Sequence, residues 1–95
     1  MRLGRSNIAH EILHEASTDK LRNCVQVSIF NEGTKDIKVM GKTVLPNGNP
    51  FRIDPSGAIF DFELKHISFT GITPTENHAL VYYQSLDYGC DNPQL

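Results

Sequence analysis

Five consecutive residues, His10-Glu11-Ile12-Leu13-His14, carry the spacing of a zinc-hydrolase motif. On an α-helix, two histidines four positions apart share one face and can hold Zn²⁺ together. The glutamate between them then serves as general base toward a metal-bound water. A helix at this point has Ser6 or Asn7 as its cap, with Ile8, Ile12, Leu13 and Ala16 along one side and His10, Glu11, His14 and Glu15 on the other. The polar side reads either as a metal site or as a solvated helix face. Zinc hydrolysis needs a third protein ligand and a wall that binds substrate. The remaining histidines, His66 and His78, and the nearest alternative carboxylate, Glu63, sit in no supporting motif. The solvated face is therefore the favoured reading, with no metal, no cofactor and no catalytic residue expected. A small zinc metallohydrolase with His10 and His14 as ligands and Glu11 as base is the alternative.

Other chemistry-bearing groups are more dispersed. Asp61 and Glu63 lie two apart on one strand face, where carboxylates usually protect an edge and aid solubility. Tyr82, Tyr83 and Tyr88 with Phe69 suggest an aromatic platform for a carbohydrate or peptide, against the plainer reading of core and strand-surface aromatics. Cys24 and Cys90 have neither metal-ligand nor CxxC spacing. Free thiols are expected, with Cys24 a small core residue; a disulfide between the two remains an alternative. No P-loop, dinucleotide-binding or nucleophile-elbow motif occurs.

The elements that must position these groups are mostly strands. From Cys24 to Tyr88 the chain runs through CVQVSIF, DIKVM, KTVL, FRI, AIFDFEL, HISFTG and ALVYYQSL. Between them stand NEGT, PNGNP, DPSG and TPTENH, rich in Gly, Pro, Asn and Asp. Period-2 alternation between such breakers predicts a small antiparallel β-sandwich, Ig-like or jelly-roll-like. The turn at Asn31-Glu32-Gly33-Thr34, with Gly33 at positive φ, predicts a hairpin between 24–30 and 36–40. Phe60, Phe62 and Leu64 share a face, but Ile67 and Phe69 fall out of phase with them. A bulge or tight turn at Lys65-His66 is needed to point both sets inward. The strand from Ala79 to Leu86 is apolar on both faces, which suits a central strand or one half buried against another molecule. The expected organisation is an N-terminal arm with a short helix over 1–23, a β-sandwich over 24–90 and a tail over 91–95.

Ninety-five residues form one core. A formal net charge of −2 argues against dependence on a nucleic-acid phosphate backbone. The basic groups Arg2/Arg5 and Lys35/Lys38/Lys42 read as solvated surface. The first residues contain two arginines but no apolar run long enough for a signal peptide, and nothing reaches membrane-spanning length.

The segment VSIFNEGTKDIKVMGKTVLPNGNPFRI, strand, turn, strand and polar Pro/Gly turn, resembles the small β-sandwich virion structural proteins of tailed bacteriophages: decoration, collar or head–tail components whose terminal arms clamp their neighbours. That resemblance implies a non-enzymatic assembly protein of the virion, made in the host cytoplasm. Its implied partners are other virion or assembly subunits, as a homo-oligomer or bound to a capsid, with no direct contact to nucleic acid or membrane. The contacts expected are Ile8, Ile12, Leu13 and Ala16 from the arm, with Val81 and Tyr83 from the apolar strand.

Overall fold

The computed structural model describes residues 5–87. Eight strands account for nearly all of its regular structure: β1 (Arg5–Leu13), β2 (Lys20–Asn31), β3 (Ile37–Val39), β4 (Lys42–Val44), β5 (Phe51–Ile53), β6 (Phe60–Glu63), β7 (Ile67–Phe69) and β8 (Ala79–Asp87). A single 3-10 turn, Leu64–His66, joins β6 to β7. The chain is mainly β, with two antiparallel sheets, as the alternation predicts. The larger sheet runs β1-β8-β2, and β5 and β6 share the far side of the long β2; the smaller runs β4-β3-β7.

The expected N-terminal helix is not formed. Residues 5–13 are instead strand β1, laddered to β8 from Arg5↔Asp87 to Leu13↔Ala79. The reason is tertiary. About ten residues of helix are marginal in water, whereas β8 has two edges and β2 satisfies only one of them. Docking residues 5–13 along the other edge pairs nine residues of backbone at once. The apolar spacing at 8, 12 and 13 that suits a helix also suits a strand, with Ile8 and Ile12 on one face and Leu13 on the other. The sheet therefore begins inside the segment read as an arm.

The expected hairpin between β2 and β3 also fails to form. β2 pairs with β8, β5 and β6, while β3 pairs with β4 and β7 in the other sheet. The turn after Asn31 carries the chain from one layer to the other. Asn31, almost wholly buried, holds that crossing: Nδ2 donates to the carbonyls of Lys35 at 2.8 Å and Val44 at 2.9 Å, and Oδ1 accepts from the Gly33 N–H at 2.9 Å. Gly33 is not among the residues with positive φ. Glycine is required there because a Cβ would collide with the Glu76 carbonyl and the His78 amide. The real tight hairpin joins β3 to β4 through Met40 (φ 52°) and Gly41 (φ 86°), two positive-φ residues as in a type I′ turn.

Between the layers lies one core. Leu21, Cys24, Val27, Ile29, Phe62, Ala79 and Val81 come from the larger sheet, and Ile37, Val39, Val44, Leu64 and Ile67 from the smaller sheet and the 3-10 turn. The turn at Leu64–His66 supplies the phase change that lets Phe62, Leu64 and Ile67 all point inward. A second irregularity lies in β2, whose register against β8 shifts between Cys24 and Gln26. Asn23 beside it has φ 55°, and its N–H donates to Asp61 Oδ1 at 3.0 Å. The bulge lets Cys24 and Val27, three apart, both reach the core fully buried, and leaves Val25 only partly buried.

Candidate functional site: the outer face and edge of the larger sheet

The smaller sheet covers only one face of β1-β8-β2. Register and alternation place three cross-strand rows on the other face: Ile8–Gln84–Gln26, His10–Tyr82–Ser28 and Ile12–Leu80–Phe30. The outermost apolar groups are strongly exposed, Ile8 at 78%, Ile12 at 49% and Tyr82 at 43%. Tyr82 is the hub of this surface. Its ring lies 5.6 Å from that of His10 and 5.9 Å from that of Phe30, the latter edge-on at 85°. A shallow depression of about 100 Å³ opens beside it, lined by Ile8, Gln26, Ser28, Tyr82, Tyr83 and Gln84. The surface combines an aromatic centre with aliphatic flanks and amide side chains, a composition suited to protein contact.

The adjoining edge is also open. Among the described residues β1 pairs only with β8, so its second row of N–H and C=O groups has no ladder partner. Within Arg5–Leu13 there is no lysine, proline or glycine of the kind that commonly blunts an edge.

At the end of β1 the chain meets the 71–78 loop. His14 Nδ1 lies 2.9 Å from the Asn77 carbonyl and 3.2 Å from that of Pro74; since both partners only accept, that nitrogen carries the hydrogen. The His14 ring is edge-on to His78 at 4.8 Å, and His78 Nε2 stands 3.4 Å from Glu32 Oε1. Asn77 closes the loop reciprocally, accepting from Gly71 N–H at 2.9 Å and donating to its carbonyl at 3.0 Å. Glu76 Oε1 accepts from the N–H groups of Ile72 and Thr73, and the Ile72 bond foremost holds its carboxyl below the usual range.

These placements separate the residues of the zinc motif. A strand advances about 3.3 Å per residue, so His10 and His14 are roughly 13 Å apart along the chain. His10 packs on Tyr82 while His14 turns to the loop, and Glu11 lies on the opposite face of β1 from His10. Among the described residues no group of three or more His, Cys, Asp or Glu is arranged to hold a metal ion. The helical geometry that gives this spacing its chemistry is not present.

The expected contact residues divide. Ile8 and Ile12 lie on the outer face, and Ala16 is exposed in the loop after β1. Leu13 and Tyr83 face the other way and pack on the core, and Val81 is fully buried within it. Burial, with the Glu11 and Cys24 charges as lesser causes, raises the Tyr83 hydroxyl above its ordinary range. The tyrosine platform divides in the same way: Tyr82 is outward, Tyr83 inward, Phe69 packs on the core from β7, and Tyr88 lies outside the described residues. Cys90 lies outside them too. Phe30 and Leu80 are the outer-face residues that sequence reasoning assigned to no site, and Tyr82 was placed there only as part of the aromatic platform. Their signal was parity, because Phe30 alternates with the inward Val27 and Ile29, and Leu80 and Tyr82 with Ala79, Val81 and Tyr83.

No helix among the described residues is long and apolar enough to cross a membrane. The chain matches no protein family, no curated protein and no solved structure with which it was compared.

Proposed function

We propose that this protein is a non-enzymatic assembly subunit: a rigid β-sandwich that joins other subunits through the outer face and the β1 edge of its larger sheet. The observation that carries the reading is the adjacency of two features, a nine-residue strand edge with no ladder partner among the described residues and the exposed Ile8, Ile12 and Tyr82 beside it. Either feature alone is a liability for a free monomer in water. Together they form one surface that a partner can bury. Placement in a tailed-phage particle belongs to this proposal and draws its support from the resemblance of the 27–53 segment.

Charging the face tests it. Ile8→Asp together with Ile12→Asp should abolish self-association or particle binding, read by light scattering after gel filtration. The far-UV circular dichroism of the sandwich should be unchanged, because both side chains are exposed. Association equal to that of the unmodified protein would end the assembly reading for this surface.

A further inference from the structure

The assembly reading leaves the partner unspecified, and the composition of β1 points to a particular one. β1 holds two formal charges, Arg5 and Glu11. They are opposite in sign and each stands three residues from Ile8, the most exposed apolar side chain of the strand. We propose that β1 pairs antiparallel with β1 of a second copy about a two-fold axis at Ile8. Arg5 of each chain then lies opposite Glu11 of the other, and Ile8 meets Ile8. This inference rests on the assembly reading and names its partner.

The register follows from charge complementarity. With the axis at Ile8, the directly opposed pairs are Arg5–Glu11, Ser6–His10, Asn7–Ala9 and Ile8–Ile8, and the charge pair occurs twice by symmetry. Directly opposed residues of unlike charge stabilise an antiparallel pair, and like charges destabilise it. Moving the axis to Ala9 sets Arg5 against Leu13 and Glu11 against Asn7; moving it to His10 sets Glu11 against Ala9 and leaves Arg5 beyond the paired strand. Of these three registers only the one at Ile8 matches both charges.

A second copy also suits the geometry of the edge. Isologous pairing satisfies the outward N–H and C=O groups of both strands with the same groups of the other, and closes after two copies, so no open fibre results. It makes the two larger sheets continuous across β1 and brings the two outer faces together on one side. The exposed Ile8 is then covered at the axis, and the Tyr82 surfaces of both copies flank it.

Charge exchange on the full chain tests the register. Sedimentation velocity over a concentration series should show a monomer–dimer equilibrium for the unmodified protein. Arg5→Glu and Glu11→Arg, each alone, place two like-charge pairs in the interface and should weaken the dimer by roughly tenfold or more. An equimolar mixture of the two variants restores two unlike pairs and should give a heterodimer of near-native affinity. That recovery separates interface repulsion from local damage, which matters because Arg5 is also in register with Asp87 of its own chain. A monomer at every concentration overturns the proposal. A dimer indifferent to both variants, or no recovery on mixing, overturns the Ile8 axis. If association then still falls in the Ile8→Asp/Ile12→Asp variant, the assembly reading stands without this partner; if it does not, both fail.

Discussion

The two faces of the β1-β8-β2 sheet are made from the same strands and end in different physical states. On the inner face Val27, Ile29, Ala79 and Val81 are wholly buried beneath the smaller sheet. On the outer face their immediate neighbours Ser28, Phe30, Leu80 and Tyr82 have no covering layer among the described residues, and Ser28 alone of them is buried. The side-chain period of two sets the alternation, but not which face is covered. The difference teaches that an apolar strand face is core only where a second layer exists. Where none does, the same chemistry is left facing solvent. The two edges repeat the lesson. β5, with only three residues, lies between Pro50 and Pro55 and carries Arg52, and β6 is flanked by charge, with Lys65 and Glu63 paired at 3.2 Å. β1 is nine residues long, has no lysine, proline or glycine, and carries only Arg5 and Glu11, opposite in sign.

The largest effect comes from charging adjacent residues of β8 on opposite faces. Val81→Asp puts an unpaired carboxylate into the core and should cost on the order of 4 kcal/mol or more, enough to unfold a small domain, as read by urea denaturation. Tyr82→Asp should leave the unfolding transition nearly in place and abolish association. Equal loss of stability in both variants would remove the distinction between the faces.

An intermediate effect follows from the thiol at the base of the inner face. Burial, and secondarily the Asp61 charge, pushes the Cys24 thiol up from 9.0 to about 11. The unfolded chain therefore ionises first. The contribution of the neutral thiol is fully present below pH 9 and is lost as the pH rises through 11. Stability should fall by roughly 2 kcal/mol across that window. In Cys24→Ala the urea midpoint, lower at neutral pH, should lose this part of its alkaline decline. A decline equal to that of the native protein would place the thiol outside the core.

The smallest effect concerns the covering layer. Met40 holds φ 52° in the β3–β4 turn, a conformation that costs a non-glycine residue, and its side chain is exposed. Met40→Gly should stabilise by about 0.5–1 kcal/mol, seen as a small rise in Tm, with association unchanged. A change in association would mean that the smaller sheet also takes part in contacts.

Much of the sandwich was legible in the residues themselves. Phe60, Phe62, Leu64 and Ile67 announced both a strand and the need for a phase change, and the 3-10 turn at Leu64–His66 supplies it. β8, apolar on both faces, was legible as central, and it lies between β1 and β2. The first strand was misread because Ile8, Ile12 and Leu13 satisfy a helical period of 3.6, while Ile8 and Ile12 also share one face of a strand and Leu13 the other. The turn after Asn31 was misread because its residues suit a hairpin and a crossing between sheets alike. Of the expected contact residues, Ile8 and Ile12 are exposed, on a strand and not a helix, whereas Val81 is fully buried and Tyr83 partly so.

By itself the sequence determined the alternating strands, the places where they break and the single small core, because these depend on local backbone preference and on the period of apolar side chains. The tertiary structure alone decided that residues 5–13 are a strand, that Gly33 must lack a side chain and that Tyr82 faces out while Tyr83 faces in. Each depends on what lies across from the residue in space: the second edge of β8, the carbonyl of Glu76 and the smaller sheet, which among the described residues covers the inner face alone.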